Sequence, residues 1–159
     1  MSALRTQTEA RQAPPAWVVP LSDILVDEEI EQALLAACRS GWWSMGPRVE
    51  ELEREFAAMC GARFAFAVSN GTTALHLALL AVGVSRGDEV ILPSLNFVAA
   101  ANTIVHSGAR PVFCDIQGTH NLNLDVGDVE AAITPATRAI VVLHYGGHPC
   151  RMDEVLELA

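Results

Sequence analysis

FAFAVSNGTTALHLALLAVGVSRGDEVILPSLNFVAAANTIVHS, from Phe64 to Ser107, is the stretch on which the fold class turns. Short apolar runs alternate in it with helical patterns: Phe64 to Val68, Thr72 to Val82, Glu89 to Leu92 and Phe97 to Ser107. This order predicts strand, helix, strand, helix. The alternation continues with an apolar run from Pro111 to Cys114, a helical pattern from Asp125 to Ile133, a run from Ala139 to Leu143 and a helical start at Met152. Four strands and their crossovers are expected. A continuous run such as Ala139-Ile140-Val141-Val142-Leu143 suits a strand buried on both sides, so the fold class is α/β, with a mainly parallel sheet and helices on both faces.

Upstream, Asp27 is placed to cap a helix that carries Ile30, Leu34 and Cys38 on one face and stops at Gly41. A second helix follows Gly41-Trp42-Trp43-Ser44-Met45-Gly46-Pro47, with Val49, Leu52, Phe56 and Met59 spaced for one buried stripe and Gly61 closing it. Residues 1–15 read as a disordered polar tail ending in Pro14-Pro15, and 16–159 as structured. The helix that starts at Met152 has no terminator and no following strand, so the domain is expected to continue beyond it.

Composition narrows the function classes. Hydrophobic residues make up 51% and charged residues 18% of the 159, which is globular rather than disordered material, and a chain of this length buries roughly two thirds of its unfolded surface. The net charge is −9 and the ten basic residues stand singly, so no cationic stripe is available to nucleic acid. No apolar segment is long enough for a membrane span or a signal peptide. Cys38, Cys60, Cys114 and Cys150 form no CxxC pair and fall in or beside apolar segments; four buried free thiols and a cytoplasmic location are the expectation.

Two segments could carry chemistry. In Val68-Ser69-Asn70-Gly71-Thr72-Thr73-Ala74-Leu75 a buried strand breaks at Gly71 and a helix begins at once. The unpaired N–H groups of that helix end, with the Thr72 and Thr73 hydroxyls, could hold a phosphate, Gly71 letting the backbone come close. Ser, Asn and Thr are also the ordinary capping residues of any helix, so a plain N-cap is the other reading. In Pro93-Ser94-Leu95-Asn96-Phe97-Val98-Ala99-Ala100-Ala101-Asn102 a strand again runs into a helix, at the carboxyl edge where parallel sheets collect ligands. Phe97 is either a shelf for a flat heteroaromatic ring or a core residue. His144 and His148 have the i, i+4 spacing of metal ligands, but Gly146, Gly147 and Pro149 make their segment a loop, and no metal is expected. Asp88 and Glu89 read as solvated carboxylates of a turn.

Five segments in order carry a resemblance: Gly41-Trp42-Trp43-Ser44-Met45-Gly46-Pro47, Ser69-Asn70-Gly71-Thr72-Thr73-Ala74-Leu75, Gly87-Asp88-Glu89-Val90-Ile91, Gly108-Ala109-Arg110-Pro111-Val112-Phe113-Cys114-Asp115 and His144-Tyr145-Gly146-Gly147-His148-Pro149. From about Val18 to Ala159 the chain resembles the DegT/DnrJ/StrS aminotransferases. The resemblance implies the N-terminal portion of a fold-type-I, aspartate-aminotransferase-like large domain that uses pyridoxal 5′-phosphate (PLP). It implies a nucleotide-linked keto-sugar as substrate, glutamate or glutamine as amino donor, and a homodimer. By motif, Gly71, Thr72 and Thr73 would hold the PLP phosphate and Phe97 would cover the pyridine ring. Trp42 and Trp43 lie where the family places substrate and dimer contacts, or else pack on a neighbouring helix.

All ten basic residues are arginine, so the chain contains no lysine. The family's transamination needs a primary amine that binds the cofactor covalently and then moves protons. An arginine stays protonated and cannot replace it. The carboxylate that pairs with the pyridine nitrogen in the family is also expected outside this chain, since Asp115 and Asp153 belong to other motifs. The expectation is therefore a fragment, inactive alone and prone to aggregate through open sheet edges. Two rivals share these residues: part of a pyridoxamine-phosphate-dependent sugar dehydratase, in which histidine replaces the lysine, and a non-catalytic module that binds PLP or a nucleotide-sugar.

Overall fold

The computed structural model describes residues 24–159. The tail expected over 1–15 lies outside them. Two compact units follow one another along the chain, with the boundary between Ala65 and Phe66.

The first unit holds α1 (Glu28–Arg39) and α2 (Pro47–Met59). Asp27 caps α1 as its position suggests, its carboxylate accepting from the Ile30 amide at 2.9 Å. Pro47 starts α2, where a missing N–H matters least. The stripe expected to be buried on α2 is not: Leu52, Phe56 and Met59 are exposed and Ala57 is the buried residue. Helical period specifies an amphipathic face, whereas burial needs a surface to cover it.

The second unit is a three-layer α/β arrangement. Its elements are α3 (Gly71–Ala81), β1 (Glu89–Pro93), α4 (Ala99–His106), β2 (Arg110–Cys114), β3 (Ile116–Gly118), β4 (Asn121–Leu124), α5 (Val126–Ala132), β5 (Thr137–Ile140) and α6 (Met152–Leu158). The main sheet is parallel, in the order β2-β1-β5, with Ile91 opposite Val112 on one side and Ile140 on the other. Alternation along β1 feeds two cores. Val90 and Leu92 join Leu79, Ala100 and Ile104 of α3 and α4. Ile91 turns to the opposite face and packs with Cys114, Leu124, Val129 and Val155, the last two from α5 and α6. Helices thus cover both faces of a strand buried along its length, as the apolar run required.

Two expectations about strands fail. Phe64 to Val68 forms no strand, and Phe64 and Phe66 are exposed; an apolar run becomes a strand only against a ladder partner, and none of the described strands pairs with it. Conversely, β3 and β4 form an antiparallel hairpin with Gly118 opposite Asn121, so the described residues hold three parallel strands and a hairpin rather than four crossover-linked strands.

Glu89 is not a solvated turn carboxylate. It opens β1, accepts from the Thr134 hydroxyl at 2.8 Å and pairs with Arg110, and these partners hold its carboxyl below the usual value. A depressed folded-state pKa stabilises above the unfolded value of about 4.3 and stops doing so as pH falls through the folded value. Glu89→Gln will therefore lower the urea midpoint near neutral pH, and the gap from the parent will close on acidification below that range; an equal gap at both pH values would show that the charge is not the cause.

All four cysteines are free, but only Cys114 and Cys150 are buried; Cys38 and Cys60, at the ends of α1 and α2, are exposed. Burial first and the Asp128 charge second push the Cys114 thiol up to about 11. The Cys150 thiol donates to the Leu143 carbonyl at 3.1 Å. Iodoacetamide should alkylate Cys38 and Cys60 in the native chain, and Cys114 and Cys150 only in denaturant; peptide mapping reads the difference, and early alkylation of Cys114 would contradict this packing.

Candidate functional site at the carboxyl edge of the sheet

Topology brings several chain segments to one edge. α3 runs into β1 and so lies antiparallel to it, which puts Gly71 at the carboxyl end of the strands. α4 leaves β1 and α6 leaves β5 at that edge and cover opposite faces, so the strand order reverses between β1 and β5. A crevice at such a reversal is where open α/β sheets take ligands. α3 lies along its first face, and an apolar groove of about 200 Å³ there is lined by Leu75 and Leu79 of α3, Ala100 and Thr103 of α4 and Ile140 of β5.

The two readings of Ser69 to Leu75 divide by residue. Asn70 is the N-cap: its Oδ1 accepts from the Thr73 amide at 2.9 Å and from the Thr73 hydroxyl at 3.2 Å, while its amide donates to the Ser69 hydroxyl at 3.1 Å. Thr73 is therefore engaged inside the cap. Gly71 and Thr72 are left with first-turn amides that have no acceptor within the helix, and the Thr72 hydroxyl has no partner among the described residues. Gly71 does not need to be glycine for its backbone angle, and a Cβ there would meet no atom within 4 Å. Nothing in the protein demands the missing side chain; the space it leaves lies over the positive end of a helix and fits a bound phosphate.

Phe97 stands at the same edge, between β1 and α4, and is 76% exposed, so it joins neither core among the described residues. Asn96 accepts from the Phe97 amide at 2.7 Å and the Phe97 carbonyl accepts from Ala100 at 3.2 Å, which fixes the backbone that presents the ring. An exposed ring at the same edge as the open first turn of α3 leaves a face on which a flat ring could stack.

Trp42 and Trp43 belong to the first unit. The Trp42 indole N–H donates to the Met45 carbonyl at 2.7 Å and that of Trp43 to the Cys38 carbonyl at 3.0 Å, so both polar handles are used locally although both rings are exposed. The Trp42 ring lies on Gly46, where a Cβ would come within 2.0 Å of its nitrogen. A structural role for Trp42 follows, and the open face of Trp43 keeps the contact reading.

Among the described residues no cluster of His, Cys, Asp and Glu has metal-binding geometry, and no helix is long and apolar enough to cross a membrane. His144 accepts from the Cys150 amide at 3.1 Å and His148 closes a short 3-10 turn over Tyr145–Gly147, both within the expected loop. Sequence reasoning missed Asn123, a buried side chain that binds this loop. No sequence signal marked it: the alternation Asn121-Leu122-Asn123-Leu124 would turn the asparagines outward, whereas Asn123 and Leu124 are both buried.

The model of the DegT/DnrJ/EryC1/StrS aminotransferase family matches residues 25–159. The chain is 48% identical over 141 residues to the spore coat polysaccharide biosynthesis protein SpsC of Bacillus subtilis, covering 89% of this chain and 36% of that protein. It is 46% identical to GDP-perosamine synthase of Caulobacter vibrioides, covering 81% and 35%. Among solved structures, a putative sugar aminotransferase of Streptococcus pneumoniae in its PLP form is 30% identical with a TM-score of 0.81, over 88% of this chain and 36% of that one. A GDP-4-keto-6-deoxymannose-3-dehydratase is 29% identical with a TM-score of 0.78, over 87% and 37%. The chain spans little more than a third of the length of the relatives it matches.

Proposed function

The chain belongs to the DegT/DnrJ/EryC1/StrS aminotransferase family, whose enzymes use PLP, and from that premise we propose that residues 16–159 are the cofactor-cradling N-terminal portion of the large domain of a sugar aminotransferase. In this reading the substrate is a nucleotide-linked keto-sugar, glutamate or glutamine donates the amino group, and the working unit is a homodimer in the cytoplasm. The observation that supports it most is the open first turn of α3, with unpaired amides at Gly71 and Thr72 and room for a ligand where a side chain would be.

Gly71 and Thr72 hold the phosphate, through two backbone amides and one hydroxyl. Thr73 contributes through Asn70, which fixes the geometry of the turn. Phe97 covers one face of the ring and keeps water from it. PLP itself supplies an electron sink for cleavage of a bond at the carbon that carries nitrogen. The proton carrier is not among these 159 residues, because the chain has no lysine. The outer edges of β2 and β5 have no ladder partner among the described residues and are open to pairing.

Gly71→Asp tests the cradle. An aspartate in the first turn favours the helix dipole, so the fold should hold, while its carboxylate takes the anion's place. Affinity for inorganic phosphate and for 4-deoxypyridoxine phosphate, which lacks the reactive aldehyde, should fall by about 1.5–3 kcal/mol, roughly 10- to 150-fold, with the far-UV spectrum unchanged. Equal affinity in parent and variant would remove the phosphate from this helix end.

A further inference from the structure

A second feature stands at the same carboxyl edge. The β3–β4 hairpin leaves β2 and the Tyr145–Gly147 turn leaves β5, and between them lies a cavity of about 580 Å³ lined by Thr119, His120, Asn121, Tyr145, His148 and Pro149 among others. We propose that Asn123 is a positioning residue that locks this turn onto the hairpin, and that the cavity so formed is a subsite for a neutral, hydroxyl-rich group, the glycosyl portion of the substrate. The ligand class rests on the sugar-aminotransferase reading above; the existence and construction of the subsite do not.

Asn123 is 3% exposed, and every polar atom of its side chain is used on the turn. Its amide donates to the carbonyls of His148 at 3.1 Å and Pro149 at 3.0 Å, and its Oδ1 accepts from the Tyr145 amide at 3.0 Å. The bonds bridge 22 to 26 residues of sequence. What they hold is a turn with two successive residues in the left-handed region, Gly146 at φ 59° and Gly147 at φ 84°, where glycine carries no steric penalty but loses the most freedom on being fixed. A buried carboxamide saturated by one loop ties that loop to the strand that carries it.

The lining decides the chemistry. It offers two imidazoles, a phenol and a hydroxyl beside two carboxamides, Asn121 and Asn123, that are bonded within the protein, and contains no Asp, Glu, Lys or Arg. Such a set donates and accepts hydrogen bonds without a fixed charge, so it suits hydroxyl groups better than a diphosphate. Tyr145 and Pro149 add apolar surface for the C–H face of a pyranose ring. The volume falls within the range of small-molecule sites, about 300–1,000 Å³.

Saturation-transfer NMR on the 159-residue chain tests this, since the signal is read on the ligand and large particles do not spoil it. The probes are GDP-mannose, free mannose and GDP. The expected result is saturation of the mannose ring protons in both sugar probes, weaker for free mannose, and a several-fold loss in Asn123→Ala and in His148→Ala. The second variant keeps the His148 carbonyl, and with it the bond from Asn123, so it removes cavity wall without releasing the turn. Amide hydrogen exchange at Tyr145 and Gly147 should rise in Asn123→Ala and stay unchanged in His148→Ala. Absence of saturation on mannose protons, or equal saturation in the parent and both variants, overturns the subsite. If the parent still binds inorganic phosphate with the Gly71 dependence given above, that failure leaves the proposed function standing.

Discussion

Incubated with PLP and then reduced with borohydride, the chain is expected to carry no cofactor on any side chain. The reaction traps a cofactor only where a primary amine has condensed with its aldehyde, and with no lysine in 159 residues the terminal α-amino group is the one candidate. None of the ten arginines can substitute, because a guanidinium holds its proton at any working pH and is a poor nucleophile. Intact mass and a peptide map would show either an unmodified protein or adduct confined to the first peptide. Glutamate added with PLP should produce no more amino-group exchange than PLP gives unaided. A missing general acid–base alone removes about 10²- to 10⁴-fold in rate, and here the covalent tether is missing too. Adduct on an internal peptide would sink the assignment of this chain as a cradle without its own amine. Exchange that appears only when a second polypeptide supplies a lysine and an aspartate would support it.

The second unit was legible because its elements are short and strongly patterned. β1 extends the run read at Glu89 to Leu92 by one residue, α3 and α4 sit within a residue or two of their expected starts, and the N-caps at Asp27 and Asn70 are the residue types that satisfy first-turn amides. Pattern was silent about covering surfaces. The stripe on α2 and the Phe64 to Val68 run have the period of buried elements, yet Phe56 and Phe66 are exposed, because period describes one element and burial describes two. The hairpin escaped notice because two strands of three and four residues are too short to stand out from a loop. At the site, Gly71, Thr72 and Phe97 come to one edge as the order of strands and helices demands. The division of labour between Thr72 and Thr73 depends on one side-chain rotamer of Asn70, which no spacing reveals.

Ile91→Ala is expected to destabilise the second unit by about 2–5 kcal/mol. Ile91 is fully buried at the centre of β1, its backbone lies between Val112 and Ile140, and its carbonyl accepts from the Val141 amide at 2.8 Å. Its side chain joins the core shared by β2, the hairpin, α5 and α6, so truncation leaves a cavity that four elements would have to close together. Domains of this size are stable by about 5–15 kcal/mol, so the loss is a large share of the whole. Equilibrium urea unfolding followed by far-UV circular dichroism gives the value, and Phe66→Ala, at an exposed ring, serves as the matched control with a change within about 0.5 kcal/mol. Were Ile91→Ala no worse than Phe66→Ala, β1 would not be the strand buried on both faces, and the carboxyl-edge crevice beside it would lose its frame. If only Ile91→Ala unfolds the unit, phosphate affinity at Gly71 should fall with it, because α3 is held by the Val90 and Leu92 side of the same strand.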